Sequence, residues 1–300
     1  MKVYYRALPK CLYFIAFLAG LHACIPNSAP ALEDSQSLVD SLIQIHKINE
    51  RTIMVTFGAE AISAINTEKG IVVIDAGIST ELTEKYRPKI EQAFQHSNFT
   101  YVINTHAHPD HCRGNSVFPT AEIAGHENGP EEMEQYWKHP GSVENSLRAT
   151  VEEYEFNLRD CPPNSEEWYH NFTQKIRYEG AYRDVKKKLP IRKADLMFSD
   201  SLAINMGDLT FELKYFGKCH SNSDILIYIP ELNVLFVGDL MFQYGRPSIR
   251  DKSMADKEIW HRSIAWTERR MHNITTVIGG HGQVFAKDEL IAFNKIILEK

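Results

Sequence analysis

Basic charge is in short supply in this chain, where 33 lysines and arginines face 39 aspartates and glutamates. Three of those bases, Lys2, Arg6 and Lys10, lie in the first 23 residues, which hold no acid. The remainder therefore carries 30 bases against 39 acids, a net charge of −9. A net-negative body argues against nucleic acid as a partner, because enzymes that act on it show a basic face. The run Lys186-Lys187-Lys188 reads as a solvated helix face. Cysteine is scarce too, with five residues. Cys11 and Cys24 fall near the N-terminus, leaving Cys112, Cys161 and Cys219, which close at most one disulfide. Long apolar runs are missing: Cys11 to Leu21 is too short to span a bilayer. No internal repeat is apparent. With 43% apolar residues over 300 positions, the chain suits one large domain or two small ones around a buried core.

The short apolar run follows a positively charged stretch and ends in Leu21-His22-Ala23-Cys24. This pattern is that of a targeting segment. It resembles the lipobox of bacterial lipoproteins, with His22 standing where a small residue is usual. The expectation is a signal peptide over 1–23, lipidation of Cys24 as the membrane anchor, and an exported protein at the periplasm or cell surface. A flexible Pro/Ser/Ala-rich tether is expected over 24–37, and a folded domain over 38–300.

His106-Ala107-His108-Pro109-Asp110-His111 is the densest chemical signal. Three imidazoles and a carboxylate within six positions suit a borderline transition metal. Phe99 to Asn104 reads as a buried strand, and Pro109 fits the first turn of a helix. His106 and His108 then leave a strand end, while Asp110 and His111 project from the next turn, so the stretch can face two adjacent metal ions. Cys112 and Cys219 each neighbour a ligand candidate in sequence and read as small buried thiols beside the site.

Around this motif the chain alternates strand and helix, an α/β signature. Four short strands precede it, over 42–48, 52–57, 61–66 and 70–75, and Ser79 is placed to cap a helix over 80–95. After a strand at 121–126, residues 127–194 turn polar and aromatic, with three helix-like stretches broken by Pro140-Gly141 and Cys161-Pro162-Pro163. They read as a helical insertion. Strands return at 196–198, 202–205, 210–216, 224–229, 234–237 and 275–278, with helices over 255–270 and from 288. Asp75, His106, His220, Asp239 and His281 each stand just beyond a short apolar strand, where open α/β sheets bind ligands. His126, His139, His170, His261 and His272 lack such context and read as surface or packing residues.

Thr105-His106-Ala107-His108-Pro109-Asp110-His111, with Asp75, His220, Asp239 and His281 in that order, resembles the metallo-β-lactamase superfamily over about residues 40 to 295. The resemblance implies an αβ/βα four-layer sandwich with the site along one edge. It implies two zinc ions, with iron or manganese as alternatives. The first would be held by His106, His108 and His220, and the second by Asp110, His111 and His281. Asp239 resembles the bridging carboxylate of the glyoxalase-II-like and lactonase-like branches. Asp75 resembles the acid that fixes the metal loop through hydrogen bonds. Two cations would acidify a bridging water and polarise the scissile bond, with Asp110 as the catalytic proton relay.

The expected activity is hydrolysis of an ester, thioester, lactone or related bond in a small molecule, with no protein partner evident. Zinc β-lactamases are the second reading, because they generally carry cysteine or serine in place of Asp239. Lactonases typically carry tyrosine where this chain has Phe242. A mononuclear iron dioxygenase acting on persulfides is the third, using His/His/Asp on the same scaffold. Substrate choice is expected to lie in the 127–194 insertion.

Overall fold

The computed structural model describes residues 32–242, 246–247, 254–289 and 291–292. The expected signal peptide, Cys24 and the tether up to residue 31 lie outside the described residues, as does the side chain of Phe242. From Leu32 to Leu42 the chain forms a helix, α1, where the sequence suggested a tether up to 37. The reason is spacing: Leu38, Val39 and Leu42 share one helical face and pack on the core.

Four antiparallel strands follow, β1 (Gln44–Lys47), β2 (Thr52–Phe57), β3 (Glu60–Thr67) and β4 (Gly70–Ile74). After α2 (Thr80–Phe94) the pairing turns parallel, β4 to β5 (Phe99–Ile103), then to β6 (Glu122–His126) and β7 (Leu196–Phe198). These seven strands lie in sequence order in one sheet. The second sheet holds β8 (Ser201–Asn205), β9 (Thr210–Tyr215), β10 (Ile225–Ile229), β11 (Val234–Gly238), β14 (Thr276–Gly279) and β15 (Val284–Ala286). Its order is β15-β14-β11-β10-β9-β8. A two-stranded ribbon, β12 (Met241–Phe242) with β13 (Arg246–Pro247), and α7 (Met254–Glu268) separate β11 from β14.

Central strands show why the sheets stack. Every residue of β4 is buried, and the pleat sends alternate side chains to opposite faces. Ile71 and Val73 join the cluster under the helices, whereas Val72 and Ile74 meet Ile227 and Phe236 of the second sheet. In β11, Val234 and Phe236 point into the same inter-sheet core, and Leu235 and Val237 pack outward with Ile264 and Trp266 of α7. The result is a helix–sheet–sheet–helix sandwich. Ser79 caps α2 as expected, with the Leu82 N–H donating to its Oγ at 3.2 Å.

A single helical turn, α3 (Pro109–Cys112), lies between β5 and β6, and between β6 and β7 the chain leaves the sheet for α4 (Gly129–Trp137), α5 (Pro140–Asp160) and α6 (Glu166–Lys186). Helix α6 is part of the core, burying Phe172, Ala181 and Val185. Its approach to α2 is close. A Cβ on Gly180 would lie 2.5 Å from Ser79 Oγ, and Asp184 accepts from Thr80 N at 2.8 Å and Thr80 Oγ1 at 2.7 Å. Helix α5 buries none of its residues and covers α6 from outside.

Candidate metal centre

Parallel pairing of β4 with β5, and of β11 with β14, brings the C-terminal ends of those strands to one edge of each sheet. Asp75, His106, Asp239 and His281 leave from those ends, and His220 enters from the loop between β9 and β10. Asp75 sits at φ 61, a left-handed conformation that turns its side chain toward the metal loop. Its carboxylate accepts from Thr105 N at 2.7 Å, Thr105 Oγ1 at 2.9 Å and His111 Nδ1 at 2.9 Å. It orients the loop, as expected of a carboxylate that binds through hydrogen bonds.

These bonds determine which ring nitrogens face inward. His111 donates from Nδ1 to Asp75, leaving Nε2 for the centre. Thr105 gives its one hydroxyl proton to Asp75, so it accepts from His106 Nδ1 at 3.1 Å, and His106 Nε2 also turns inward. His281 Nδ1 donates to the Ala59 carbonyl at 2.9 Å, which aims its Nε2 the same way. His108 Nδ1 and His220 Nε2 lie 2.9 Å apart.

The inward atoms form two groups, His106, His108, His220 and Asp239 in one, and Asp110, His111 and His281 in the other. Within each group one donor atom per residue lies within 4.8 Å of the rest. Asp239 stands between them: Oδ2 is 3.1 Å from His281 Nε2 and 3.4 Å from His220 Nε2, and Oδ1 is 3.4 Å from His111 Nε2. His106 Nε2, His111 Nε2 and Asp239 Oδ1 are buried with no hydrogen-bond partner. Orphaned buried atoms of this kind, shared between the two groups, are costly without cations and favourable with them.

Electrostatics agree. Burial and the neighbouring imidazoles hold His106 well below the ordinary histidine range. Burial opposes protonation of His111, yet Asp239, Asp75 and Asp110 hold it well above that range. Asp239, also opposed by burial, is kept well below the usual carboxylate range by His111 and His281. The carboxylates thus demand positive charge at this spot, and the residues fit a bound metal.

Other residues brace the cage. Asn104 and Asn115 exchange amide hydrogen bonds at 3.0 and 2.8 Å, and Asn104 also donates to the His111 carbonyl at 3.2 Å. Glu132 of α4 accepts from Asn222 N at 3.1 Å and from Ser223 Oγ at 2.7 Å. Ser223 Oγ in turn accepts from Ala107 N at 3.0 Å, so one buried carboxylate links the loops of His106, His108 and His220. Gly280 is required by space, because a Cβ there would lie 2.4 Å from Asp239 Oδ1 and 2.8 Å from His111 Cε1. Cys112 donates its thiol to the His108 carbonyl at 3.2 Å, and burial pushes its pKa up, so it packs as a protonated thiol behind the loop.

A cleft of about 750 Å³ opens over the donors. Asp110, Asp239 and His281 line it from the donor cage, and Tyr169, Gln174 and Arg177 line it from α6, which forms a wall of the cleft. His170, read from the sequence as a surface or packing residue, borders the cleft as well. His126 stacks on Tyr215 at 3.6 Å and bonds to the Ser199 carbonyl, a packing role.

A profile of the metallo-beta-lactamase superfamily matches residues 55–281. The chain belongs to that superfamily. The metallo-beta-lactamase type 2 of Bacillus sp. strain 170 is 24% identical over 257 residues, covering 83% of this chain and 80% of the relative. That of Bacillus cereus is 23% identical over 267 residues, covering 88% and 81%. Among solved structures, a metallo-beta-lactamase from Pontibacter korlensis superposes with a TM-score of 0.53 at 15% identity, over 86% of this chain and all 100% of that one. The sec-alkylsulfatase Pisa1 from Pseudomonas sp. gives 0.60 at 15% identity, over 85% of this chain and 41% of its own length. These structures share the superfamily fold, the αβ/βα sandwich the sequence implied. Members of the superfamily are mostly metal-dependent hydrolases, and the His/Asp cluster described above is able to bind metal.

Proposed function

We propose that this superfamily member is a dinuclear zinc hydrolase that cleaves an ester, thioester, lactone or related bond in a small molecule. The observation that carries the reading is the division of inward-facing donors into two groups that share Asp239. His106, His108 and His220 would hold one ion, Asp110, His111 and His281 the other, and Asp239 would bridge them. A pair of divalent ions supplies an acidified water and an electrophile for the scissile bond. The chain's residues do the rest. Asp110 borders the cleft and is held below the ordinary carboxylate range by His111 and His281 against the effect of burial. As a carboxylate it orients the attacking water and moves a proton toward the leaving group. Asp75 keeps the imidazole of His111 in the tautomer that presents Nε2. Helix α6 lines the cleft through Tyr169, Gln174 and Arg177 and so bounds the space a substrate can occupy.

A second reading, β-lactam hydrolysis, is favoured by the names of the Bacillus relatives. It is weakened by Asp239, which stands where zinc β-lactamases generally carry cysteine or serine. The test is metal analysis of the purified protein together with a panel of thioesters, lactones, phosphoesters, alkyl sulfates and β-lactams. Zinc-dependent turnover of an ester-type bond supports the first reading, and turnover of β-lactams alone supports the second. A single iron ion with oxygen uptake on persulfides would overturn both.

We propose in addition that the protein is exported and anchored through a lipid on Cys24, on the strength of the charged segment, the short apolar run and Leu21-His22-Ala23-Cys24. In a bacterial host, Cys24→Ala should release the protein from the membrane fraction or block its maturation. An unchanged mass and membrane partition would contradict the anchor.

A further inference from the structure

The cleft contains a cation that the hydrolytic reading does not use. Arg177, on α6, borders the same cavity as Asp110, Asp239 and His281. Its Nε donates to Glu60 Oε2 at 3.1 Å, and the two side chains are only 4% and 2% exposed. Glu60 is anchored from behind, since Tyr86 donates its hydroxyl to Oε1 at 3.0 Å. Arg177 Nη1 donates to Gln174 Oε1, itself a cleft residue. A guanidinium has five N–H donors. Glu60 and Gln174 take one each, and among the described residues no protein atom takes those on Nη2. Glu60 and Asp110 hold the group firmly charged against the effect of burial. The Nη2 donors are not among the buried atoms left without a partner, so they open on the cleft, where water or an acceptor on a ligand can meet them.

We propose that Arg177 receives an oxyanion group of the substrate, so that the molecule hydrolysed is an acid: it carries a carboxylate, phosphate or sulfate at a distance from the scissile bond. This rests on the hydrolase reading for the bond that is cut, but not for the anion site itself. Three features single out an oxyanion. The planar fork of arginine matches two oxygens of one group. Glu60, Tyr86 and Gln174 fix the guanidinium in place, so little side-chain entropy is lost on binding. Arg177 lines the same cavity as Asp110, Asp239 and His281 and lies near enough to Asp110 for the two charges to act on each other, so one ligand can touch both the guanidinium and the donor cage.

The test separates this role from a purely structural ion pair between α6 and β3. Matched acidic substrates and their neutral methyl esters or amides are compared by KM and kcat in the wild type, Arg177→Gln, Arg177→Lys and Glu60→Gln. The wild type should prefer the acidic member through KM. Arg177→Gln should lose roughly ten- to hundredfold of that preference, in line with loss of a charge-assisted bond, with turnover of the neutral member and zinc content retained. Arg177→Lys should lose part of it. Glu60→Gln breaks the ion pair but leaves the cleft cation, and should keep the preference. Equal loss in Glu60→Gln and Arg177→Gln, or no acid preference in the wild type, would overturn the proposal. Direct binding supplies an arm independent of turnover. Dicarboxylates from succinate to suberate are titrated calorimetrically against monocarboxylates of the same length, since a single carboxylate can bind at the donor cage alone. At least one dicarboxylate should bind about tenfold more tightly than its partner, and Arg177→Gln should abolish the gain. If no panel substrate is cleaved, the hydrolase reading fails while this arm still decides the role of Arg177; absence of any dicarboxylate gain overturns it. Should Arg177→Gln not fold, the double variant Glu60→Gln/Arg177→Gln removes the buried unpaired acid and takes its place.

Discussion

The donor cage and the α6 wall of the cleft are held by different means. In the cage, side chains spring from turns at the ends of parallel strands, and the outer nitrogens of His106, His111 and His281 are tied to Thr105, Asp75 and the Ala59 carbonyl. The geometry is thus set by two sheets and a few buried hydrogen bonds. The wall is the first half of a helix, α6, that is locked into the core by Phe172 and, in its second half, by Ala181 and by Asp184 on Thr80. Tyr169 and Gln174 need only to remain on that helix to line the cleft. The contrast teaches that changes in the cage should disturb metal binding and stability together, whereas changes on the wall should alter substrate choice with the metals in place.

Asp75→Ala should have the largest effect. It leaves Thr105 N–H, the Thr105 hydroxyl and His111 Nδ1 without their acceptor in a buried site. Each such group costs about 1–3 kcal/mol, and loss of a partner of a metal-binding histidine costs roughly ten- to hundredfold in metal affinity or activity. Chemical denaturation and zinc titration should both shift; a change in only one would mean that Asp75 serves folding or metal alone. Gly280→Ala comes next. The added methyl displaces Asp239 Oδ1 or the His111 ring, and should weaken the second metal while global stability falls by no more than about 1–3 kcal/mol, the usual cost of overpacking. Unchanged metal content would show that the turn relaxes freely.

Gln174→Ala and Tyr169→Ala should have the smallest effects. Zinc content and melting temperature should stay constant while KM values across a substrate panel change several-fold and unequally. A uniform loss of kcat with metal loss would erase the distinction between wall and cage. Excising residues 127–194 is a poor test of that distinction: α6 buries Phe172, Ala181 and Val185, and Glu132 of α4 braces the ligand loops. A short linker would uncover the core as well as the cleft.

The cage was readable in the sequence because its chemistry is local. His106, His108, Asp110 and His111 lie within six positions, and Asp75, His220, Asp239 and His281 follow strand-like runs with glycine nearby. The inter-sheet core was readable from strands such as β4 and β11. The wall was not, because α6 mixes aromatic, charged and apolar residues around its circumference, so no single face announces the cleft. Glu132 and Arg177 escaped notice for another reason. Their partners, Ser223 and Glu60, lie 91 and 117 residues away, and no local pattern marks such a pair. Helix α1 was misread because Pro, Ser and Ala upstream suggested a tether, while Leu38, Val39 and Leu42 supplied a buried face.

Quantitative metal analysis of Asp239→Ala beside the wild type tests the shared-carboxylate centre most directly. Asp239 contacts histidines of both donor groups within 3.4 Å, so its removal should uncouple them. The wild type should hold two zinc ions per chain. The variant should keep the ion at His106, His108 and His220, bind the other weakly and lose more than about tenfold in turnover, with Asp239→Asn in between. Two tightly held metals and normal turnover in Asp239→Ala would contradict the bridging role and the dinuclear centre built on it.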